Sequence, residues 1–106
     1  MINKSRIASD IGLSPDSVEH ILNLFFSETH NRIRRVNELT KRSEYSKARE
    51  IIHQLLGSCA YCRFDALECA LSELNRAIKT EEELIPSKIE KVNQLYSLLE
   101  REHESV

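Results

Sequence analysis

The sequence is poor in the residues that break helices and build strands. Its 106 residues include two glycines, two prolines and no tryptophan, and aromatic residues make up only 6%. β-Strands normally alternate β-branched or aromatic residues with polar ones between turn residues, and no stretch of this chain shows that alternation. Leu, Ile, Ala, Ser and charged residues dominate instead. The sequence therefore predicts an all-α protein.

Long apolar runs and export signals are absent as well. No run approaches the ~20 apolar residues that span a bilayer. The first ten residues, MINKSRIASD, have no apolar core of a signal peptide. Three cysteines are an odd number, which favours a reducing compartment over a disulfide framework. We therefore expect a cytoplasmic protein without membrane contact.

The size and charge of the chain limit its organisation and its partners. A length of 106 residues with 41% hydrophobic and 30% charged residues fits one domain over residues 1–106. Its core is expected within about residues 14–102. The net charge of −2 gives no sign of a nucleic-acid binder.

The first half of the chain predicts two helices. A short helix over residues 5–11 is expected to end at Gly12. A long helix should begin with Ser14 as N-cap and Pro15 in the first turn, and run to about Arg42. Its apolar stripe recurs at steps of three and four and contains Val18, Ile21, Leu22, Phe25, Thr29, Ile33, Val36 and Thr40.

The second half predicts three more helices, joined by short links. One starts near Ser43 or Glu44, with a stripe of Ala48, Ile51, Ile52, Leu55, Cys59 and Cys62. The next ends near Lys79 and carries Phe64, Leu67, Leu71, Leu74 and Ile78. The last ends after about Glu102 and buries Ile89, Val92, Leu95 or Tyr96, and Leu99. Together these segments predict an antiparallel four-helix bundle with a short extra N-terminal helix.

Two starts are open for the last helix. Thr80 and Glu83 have the spacing of a capping box. Alternatively, Pro86 marks the first turn, because proline is tolerated there and nowhere further along a helix.

A glycine in the middle of the second long helix is unexpected. Residues 51–59 read IIHQLLGSC, and Gly57 costs this helix roughly 1 kcal/mol relative to alanine. On a helical wheel, His53 lies opposite the apolar stripe and therefore faces water. The residues beside it are Arg49, Glu50, Leu56, Gly57 and Ala60. A smooth, partly apolar patch around an exposed histidine suits docking by another protein. The alternative is a surface histidine without a function, beside a glycine that only destabilises the helix.

These residues resemble the histidine phosphotransfer (Hpt) domain. That family has the motif H-x-L-K-G-S-[SA] midway along the second long helix of a four-helix bundle, and residues 53–59 read HQLLGSC. The upstream segment LNLFFSETHNRIRRVNEL is similar to the family's first core helix, and ALECALSELN is similar to its third. The resemblance covers about residues 18–100.

The resemblance implies a function for His53. As the phosphoacceptor it would take a phosphoryl group from the aspartyl phosphate of a receiver domain and pass it to another receiver in a multistep phosphorelay. The receivers would belong to response regulators or to a hybrid sensor kinase. The chain, a monomer, would be a carrier without kinase activity, since it has no glycine-rich phosphate loop. It would need no cofactor or metal, because the receiver supplies Mg²⁺. Supporting and docking residues would be Arg49, Gln54, Leu56, Gly57, Ala60 and Asn75.

Several positions depart from the family pattern. Leu56 replaces a lysine that would help to balance phosphoryl charge, and Arg49, one turn before His53, is the nearest substitute. Lys47 and Arg63 are more distant candidates, and Arg63 also stands where the family usually has glycine.

A further departure concerns the ring of the histidine. Some members of the family have a glutamine that hydrogen-bonds the histidine's other ring nitrogen, and this chain has the shorter Asn75 there. Such a bond would fix the tautomer of His53.

Two other functional classes remain open. The first is an Hpt-like helical module that binds receivers as a scaffold or inhibitor without carrying phosphate, with Leu56 as the sign of lost chemistry. The second is a helical adaptor without any link to receivers, which leaves Gly57 unexplained.

The remaining cysteines and histidines have structural interpretations. Cys59 and Cys62 have CxxC spacing, but both lie on the apolar stripe late in a helix, so we expect buried core thiols and no metal or redox site. His20, His30 and His103 lie in polar stretches and are expected to be solvated.

Overall fold

The structure, a computed structural model, describes residues 2–104. Within this range the helices are α1 Lys4–Ile11, α2 Pro15–Lys41, α3 Tyr45–Tyr61, α4 Asp65–Thr80 and α5 Ile85–Glu104. One turn of 3₁₀ helix, Glu82–Leu84, joins α4 to α5. The predicted all-α fold with a short N-terminal helix before four long ones is confirmed.

The four long helices form a bundle because each has one apolar face. Consecutive helices pack against each other, and α2 also contacts α5, which closes the bundle. The short links force neighbouring helices to run antiparallel. Most predicted stripe residues are buried, although Ile21, Ile51 and Ile89 are only half-buried at its edges. Of the two alternatives in α5, Tyr96 is buried and Leu95 is half-buried.

The start of α2 follows the sequence signals. The backbone N–H of Ser17 donates to Ser14 Oγ at 3.3 Å, and Pro15 opens the helix. Gly12 ends α1 in the left-handed conformation with φ 68°, where glycine has no Cβ penalty. Ile7 brings α1 onto the core, where its side chain is fully buried.

The start of α5 resolves the predicted ambiguity in favour of Pro86. Thr80 belongs to the end of α4, since its hydroxyl donates back to the Arg76 carbonyl at 3.1 Å and caps no following helix. α5 begins at Ile85, and Pro86 lies in its first turn. The helix continues to Glu104, slightly beyond the predicted end.

The links on either side of α3 both use a residue in the left-handed conformation. Ser43 has φ 58° and Arg63 has φ 59°. In each link a backbone N–H reaches back over the helix end: Glu44 donates to Leu39 at 2.9 Å, and Phe64 donates to Cys59 at 2.9 Å. These are Schellman motifs, which satisfy the last carbonyls of α2 and α3.

Arg63 stands at a position whose backbone favours glycine. A left-handed residue with a Cβ costs roughly 1–2 kcal/mol. The side chain returns part of that cost, because Arg63 Nε donates to Asp10 Oδ2 at 2.8 Å and so joins the end of α3 to α1. This pair is exposed and is worth about 0–1 kcal/mol.

We expect Arg63→Gly to be more stable than Arg63→Ala by about 1 kcal/mol, because both variants lose the Asp10 pair but only glycine adopts φ 59° without strain. Urea unfolding followed by circular dichroism measures the difference. Equal stability of the two variants would show that the backbone at Arg63 is unstrained.

Candidate functional site

His53 lies near the middle of α3 on the face that points away from the core. The buried residues of α3 are Ala48, Ile52, Leu55 and Cys59. His53 is exposed, as predicted, and within the described residues its ring makes no hydrogen bond or ion pair. The helix therefore holds the backbone of His53 at a fixed place on the surface, while both ring nitrogens stay available.

Gly57 leaves the surface beside His53 bare. Side chains on a helix lean toward its N-terminus, so a residue one turn after His53 would cover the ring. A Cβ at Gly57 would meet no atom within 4 Å, and the φ of this residue is an ordinary helical one. Neither packing nor backbone geometry within the described chain requires glycine here. What glycine provides instead is a surface without a side chain next to His53.

Two grooves flank the exposed ridge of α3. The groove toward α4, of about 550 Å³, is lined by Ser46, Arg49, Glu50, His53, Gln54, Leu56 and Asn75. The groove toward α2, of about 510 Å³, is lined by Ile21, Phe25, Glu28, Arg32, Gln54, Gly57, Ser58, Tyr61 and Cys62. We name them the α3–α4 groove and the α2–α3 groove. Gln54 borders both, and Ala60 is exposed on the same ridge.

Arg49 and Asn75 meet in the α3–α4 groove. Arg49 Nε donates to Asn75 Oδ1 at 3.3 Å, which links α3 to α4. The bond from Asn75 to the His53 ring that the resemblance implied is not formed; the amide oxygen of Asn75 contacts the arginine instead. The tautomer of His53 is therefore not fixed by Asn75 in this structure.

Leu56 lies beside His53 on the helical wheel, and an exposed apolar contact is expected there, but the side chain is only partly exposed. It is half-buried and packs against the hydrophobic core while its edge lines the α3–α4 groove. The helical wheel places Leu56 nearer the apolar stripe than Gly57, and a leucine bends inward to bury its methyl groups.

The more distant cations lie outside the α3–α4 groove. Lys47 Nζ is 3.3 Å from Glu44 Oε1, at the start of α3. Arg63 is bound to Asp10 beyond the end of α3. Neither lines the groove that contains His53, so the structure brings together Arg49, His53 and Asn75 but not these two.

Sequence reasoning missed residues of the α2–α3 groove. Tyr61 is 50% exposed and lines this groove together with Glu28 and Arg32. Tyr61 follows Gly57 by one helical turn, so the wheel that placed Gly57 beside His53 would also have found it. Glu28 and Arg32 lie on α2, and only the packing of α2 against α3 places them there.

The CxxC thiols are buried, as predicted. Burial raises the pKa of Cys59 to about 12 and that of Cys62 to about 11. Both thiols therefore stay protonated at neutral pH, and a protonated thiol is a poor nucleophile and metal ligand. Cys69 is exposed. No cluster of three or more His, Cys, Asp or Glu side chains among residues 2–104 is arranged to hold a metal ion.

The other histidines have different surroundings. His20 is exposed, and His30 Nδ1 lies 3.8 Å from Glu100 Oε2. The expectation of a solvated His103 is wrong, because its ring stacks on Phe26 at 4.5 Å and Nε2 lies 2.9 Å from Asn23 Oδ1. The last turn of α5 has too few apolar residues at helical spacing to predict this contact from the sequence.

None of the described helices is both long and apolar enough to cross a membrane.

Replacing Gly57 with alanine is expected to raise the free energy of unfolding by up to about 1 kcal/mol. The added methyl group enters open space, and alanine restricts the unfolded chain more than glycine does. Thermal or urea unfolding measures the change. A loss of stability would mean that the helix needs glycine for its own packing.

A comparison with protein-family models finds one match that covers most of the chain. Residues 20–104 match the model described as Hpt domain, which contains α3, α4, α5 and nearly all of α2. No curated protein and no solved structure matches the chain. The chain therefore belongs to the Hpt domain family, whose members carry phosphoryl groups on histidine in phosphorelays, bind receiver domains and are not kinases.

Proposed function

We propose that His53 accepts a phosphoryl group from the aspartyl phosphate of one receiver domain and passes it to the aspartate of another. The observation that supports this assignment is the placement of His53. It is exposed at mid-helix, its ring makes no bond within the described chain, and the surface one turn further along is bare. None of the other three histidines combines these features. His30 and His103 have side-chain partners, and His20 is followed one turn later by Leu24 and not by a glycine.

The transfer needs little chemistry from the bundle. The unprotonated ring nitrogen of His53 attacks phosphorus, the N–P bond forms, and the bond between phosphorus and the aspartyl oxygen breaks. The electron pair of that bond leaves on the carboxylate, while the other ring nitrogen keeps its proton until water or a base removes it. A neutral imidazole is a suitable nucleophile at neutral pH. The second transfer is the reverse reaction with a new aspartate.

Phosphoryl transfer depends mainly on in-line positioning and on neutralisation of charge. The bundle supplies the first, because a helix clamped between two neighbours holds a side chain more precisely than a loop does. The receiver would supply Mg²⁺ and its own lysine, so the bundle needs no metal or nucleotide site. We propose a carrier that works as a monomer, is cytoplasmic, and meets receivers of response regulators or of a hybrid sensor kinase.

The docking surface would include the ridge of α3 and its two grooves. Gly57 and Ala60 allow close approach, while the α2–α3 groove offers the half-exposed ring of Tyr61 to an apolar partner surface. Aromatic side chains that are partly exposed beside a groove are frequent anchors of protein interfaces.

Leu56 supports a second candidate function. A leucine in place of the family lysine removes a charge next to the phosphoacceptor. An Hpt-like module that binds receivers without carrying phosphate, as a scaffold or inhibitor, would tolerate this change. Binding without transfer would be its signature.

We expect phosphate on the wild-type protein and none on His53→Gln. A promiscuous receiver domain is charged with a small phosphodonor and Mg²⁺, mixed with each protein, and the intact masses are measured. The label should be labile in acid and stable in base, as expected for phosphohistidine. His20→Gln, which removes an exposed histidine on α2, is the matched control and should label like wild type.

The outcomes separate the candidates. Label on His53→Gln would place the acceptor elsewhere. Binding of several receivers without label on the wild-type protein would favour the scaffold.

We expect Gly57→Gln to slow phosphoryl transfer at least about tenfold while the fold stays intact. The long glutamine side chain would lean over His53. Gly57→Ala is the control for the helix itself, since it changes the backbone propensity without covering the ring. Rates come from rapid-quench labelling. Normal transfer by Gly57→Gln would refute the docking role of the bare surface.

A further inference from the structure

Arg49 differs from the other arginines of the described chain. Five of them have a carboxylate oxygen within 4.0 Å, namely Arg6, Arg32, Arg35, Arg63 and Arg76. Three without such a partner, Arg34, Arg42 and Arg101, are exposed to solvent. Arg49 is half-buried and still has no carboxylate partner among residues 2–104. A partly desolvated guanidinium without a counter-ion is a ready site for an anion.

An amide holds this guanidinium in place. Arg49 Nε donates to Asn75 Oδ1 at 3.3 Å, and α4 carries Asn75 between the buried Leu74 and the exposed Arg76. The bond uses one of the five N–H donors of arginine, so the four donors on its two terminal nitrogens remain. These can bind two oxygens of a phosphoryl group side by side. Asn75 thus orients the guanidinium group of Arg49 without neutralising its charge.

The position of the guanidinium suits the phosphoacceptor. Arg49 precedes His53 by four residues, so the two Cβ atoms are neighbours about 5–6 Å apart on one helix face. The His53 side chain leans toward the turn that carries Arg49, and both residues line the α3–α4 groove.

The charges of the α3–α4 groove make Arg49 the balancing residue. Within the described chain its lining contains one cation, Arg49, and one anion, Glu50. The phosphoryl group adds further negative charge. Leu56, three residues after His53, contributes none of the positive charge that the resemblance places there. Without Arg49 the groove would hold only negative charge around the phosphoryl group.

We infer that Arg49, oriented by Asn75, binds the phosphoryl group on His53 and replaces the lysine missing at position 56. This inference rests on the proposed function of His53. Arg49 is then the phosphoryl-binding residue, and Asn75 is a positioning residue that acts through Arg49 and not on the imidazole ring. The arrangement gives this chain an arginine before the histidine instead of a lysine after it.

The test is rapid-quench transfer from a charged receiver at saturating receiver concentration, so that the first-order rate constant is separated from the apparent affinity. Loss of one charge-assisted bidentate contact is expected to lower this rate constant about tenfold or more in Arg49→Gln. Asn75→Ala should lower it about threefold, since the guanidinium stays but loses its orientation. In the double variant, Asn75→Ala should add nothing to Arg49→Gln.

A rescue distinguishes a charge effect from a structural one. Adding Leu56→Lys to Arg49→Gln should recover at least about half of the lost rate, because the lysine restores one positive charge beside His53. Lys47→Gln removes a charge from α3 outside the groove and should leave the rate within about twofold of wild type. Asn93→Ala breaks a remote amide contact, with Asn37 at 3.4 Å, and controls for loss of an asparagine.

Three results would overturn the inference. The first is an Arg49→Gln rate equal to that of Lys47→Gln, and the second is no gain on adding Leu56→Lys. The third is an undiminished effect of Asn75→Ala in the Arg49→Gln background, which would mean that Asn75 acts on the ring itself. Each of these leaves His53 labelled, so the proposed function survives. A wild-type protein that takes up no phosphate overturns the proposed function and this inference together.

Discussion

The burial of one apolar stripe of α3 between α2 and α4 is the constraint on which the site depends. Ile52 and Leu55 are fully buried, so α3 cannot rotate about its axis without exposing them to water. Each such side chain is worth about 1.5–3 kcal/mol when buried. The same rotation would carry His53 into the core, and therefore packing on one face fixes the imidazole on the other. Burial of the apolar face of α3 thus determines that His53 faces solvent.

Two residues of α3 and its end depart in opposite directions from what stability alone would favour. Gly57 lies at an ordinary helical position where alanine fits, and Arg63 lies at a left-handed position where glycine fits. The first departure leaves the surface beside His53 without a side chain. The second ties α3 to α1 through Asp10. The helix that carries His53 thus gives up local stability at one point, where its surface stays open, and at another, where it makes a tertiary contact.

Much of the fold could be predicted because the helix signals are strong and local. Ser14 with Pro15 fixed one helix start, and Gly12 fixed one helix end. The stripe of each long helix predicted most of the core, and the same wheel placed His53 on the outside. The start of α5 was ambiguous because Thr80 satisfies a backbone carbonyl of α4 as readily as it would cap a new helix.

The side-chain contacts between helices could not be predicted from the sequence. The resemblance implied a bond from Asn75 to the histidine ring, but Asn75 bonds Arg49, and only the packing of α4 against α3 reveals this partner. The helical angle of Leu56 placed it near the edge of the apolar stripe, but how far it is buried depends on how the core packs against it. His103 stacks on Phe26 through a meeting of α5 with α2 that leaves no pattern in either segment. Side-chain partners across helices are set by packing, not by spacing along the chain.

Helix α1 lies before the segment that matches the family, which begins at residue 20. Yet Ile7 is fully buried in the same core as the bundle, and Asp10 holds Arg63. A fragment that begins at residue 20 would lack α1 and would expose apolar core residues at the end of the bundle where α2 begins and α3 ends. These exposed residues would favour self-association of the fragment. The unit that must be expressed for solution work is therefore larger than the unit that defines the family.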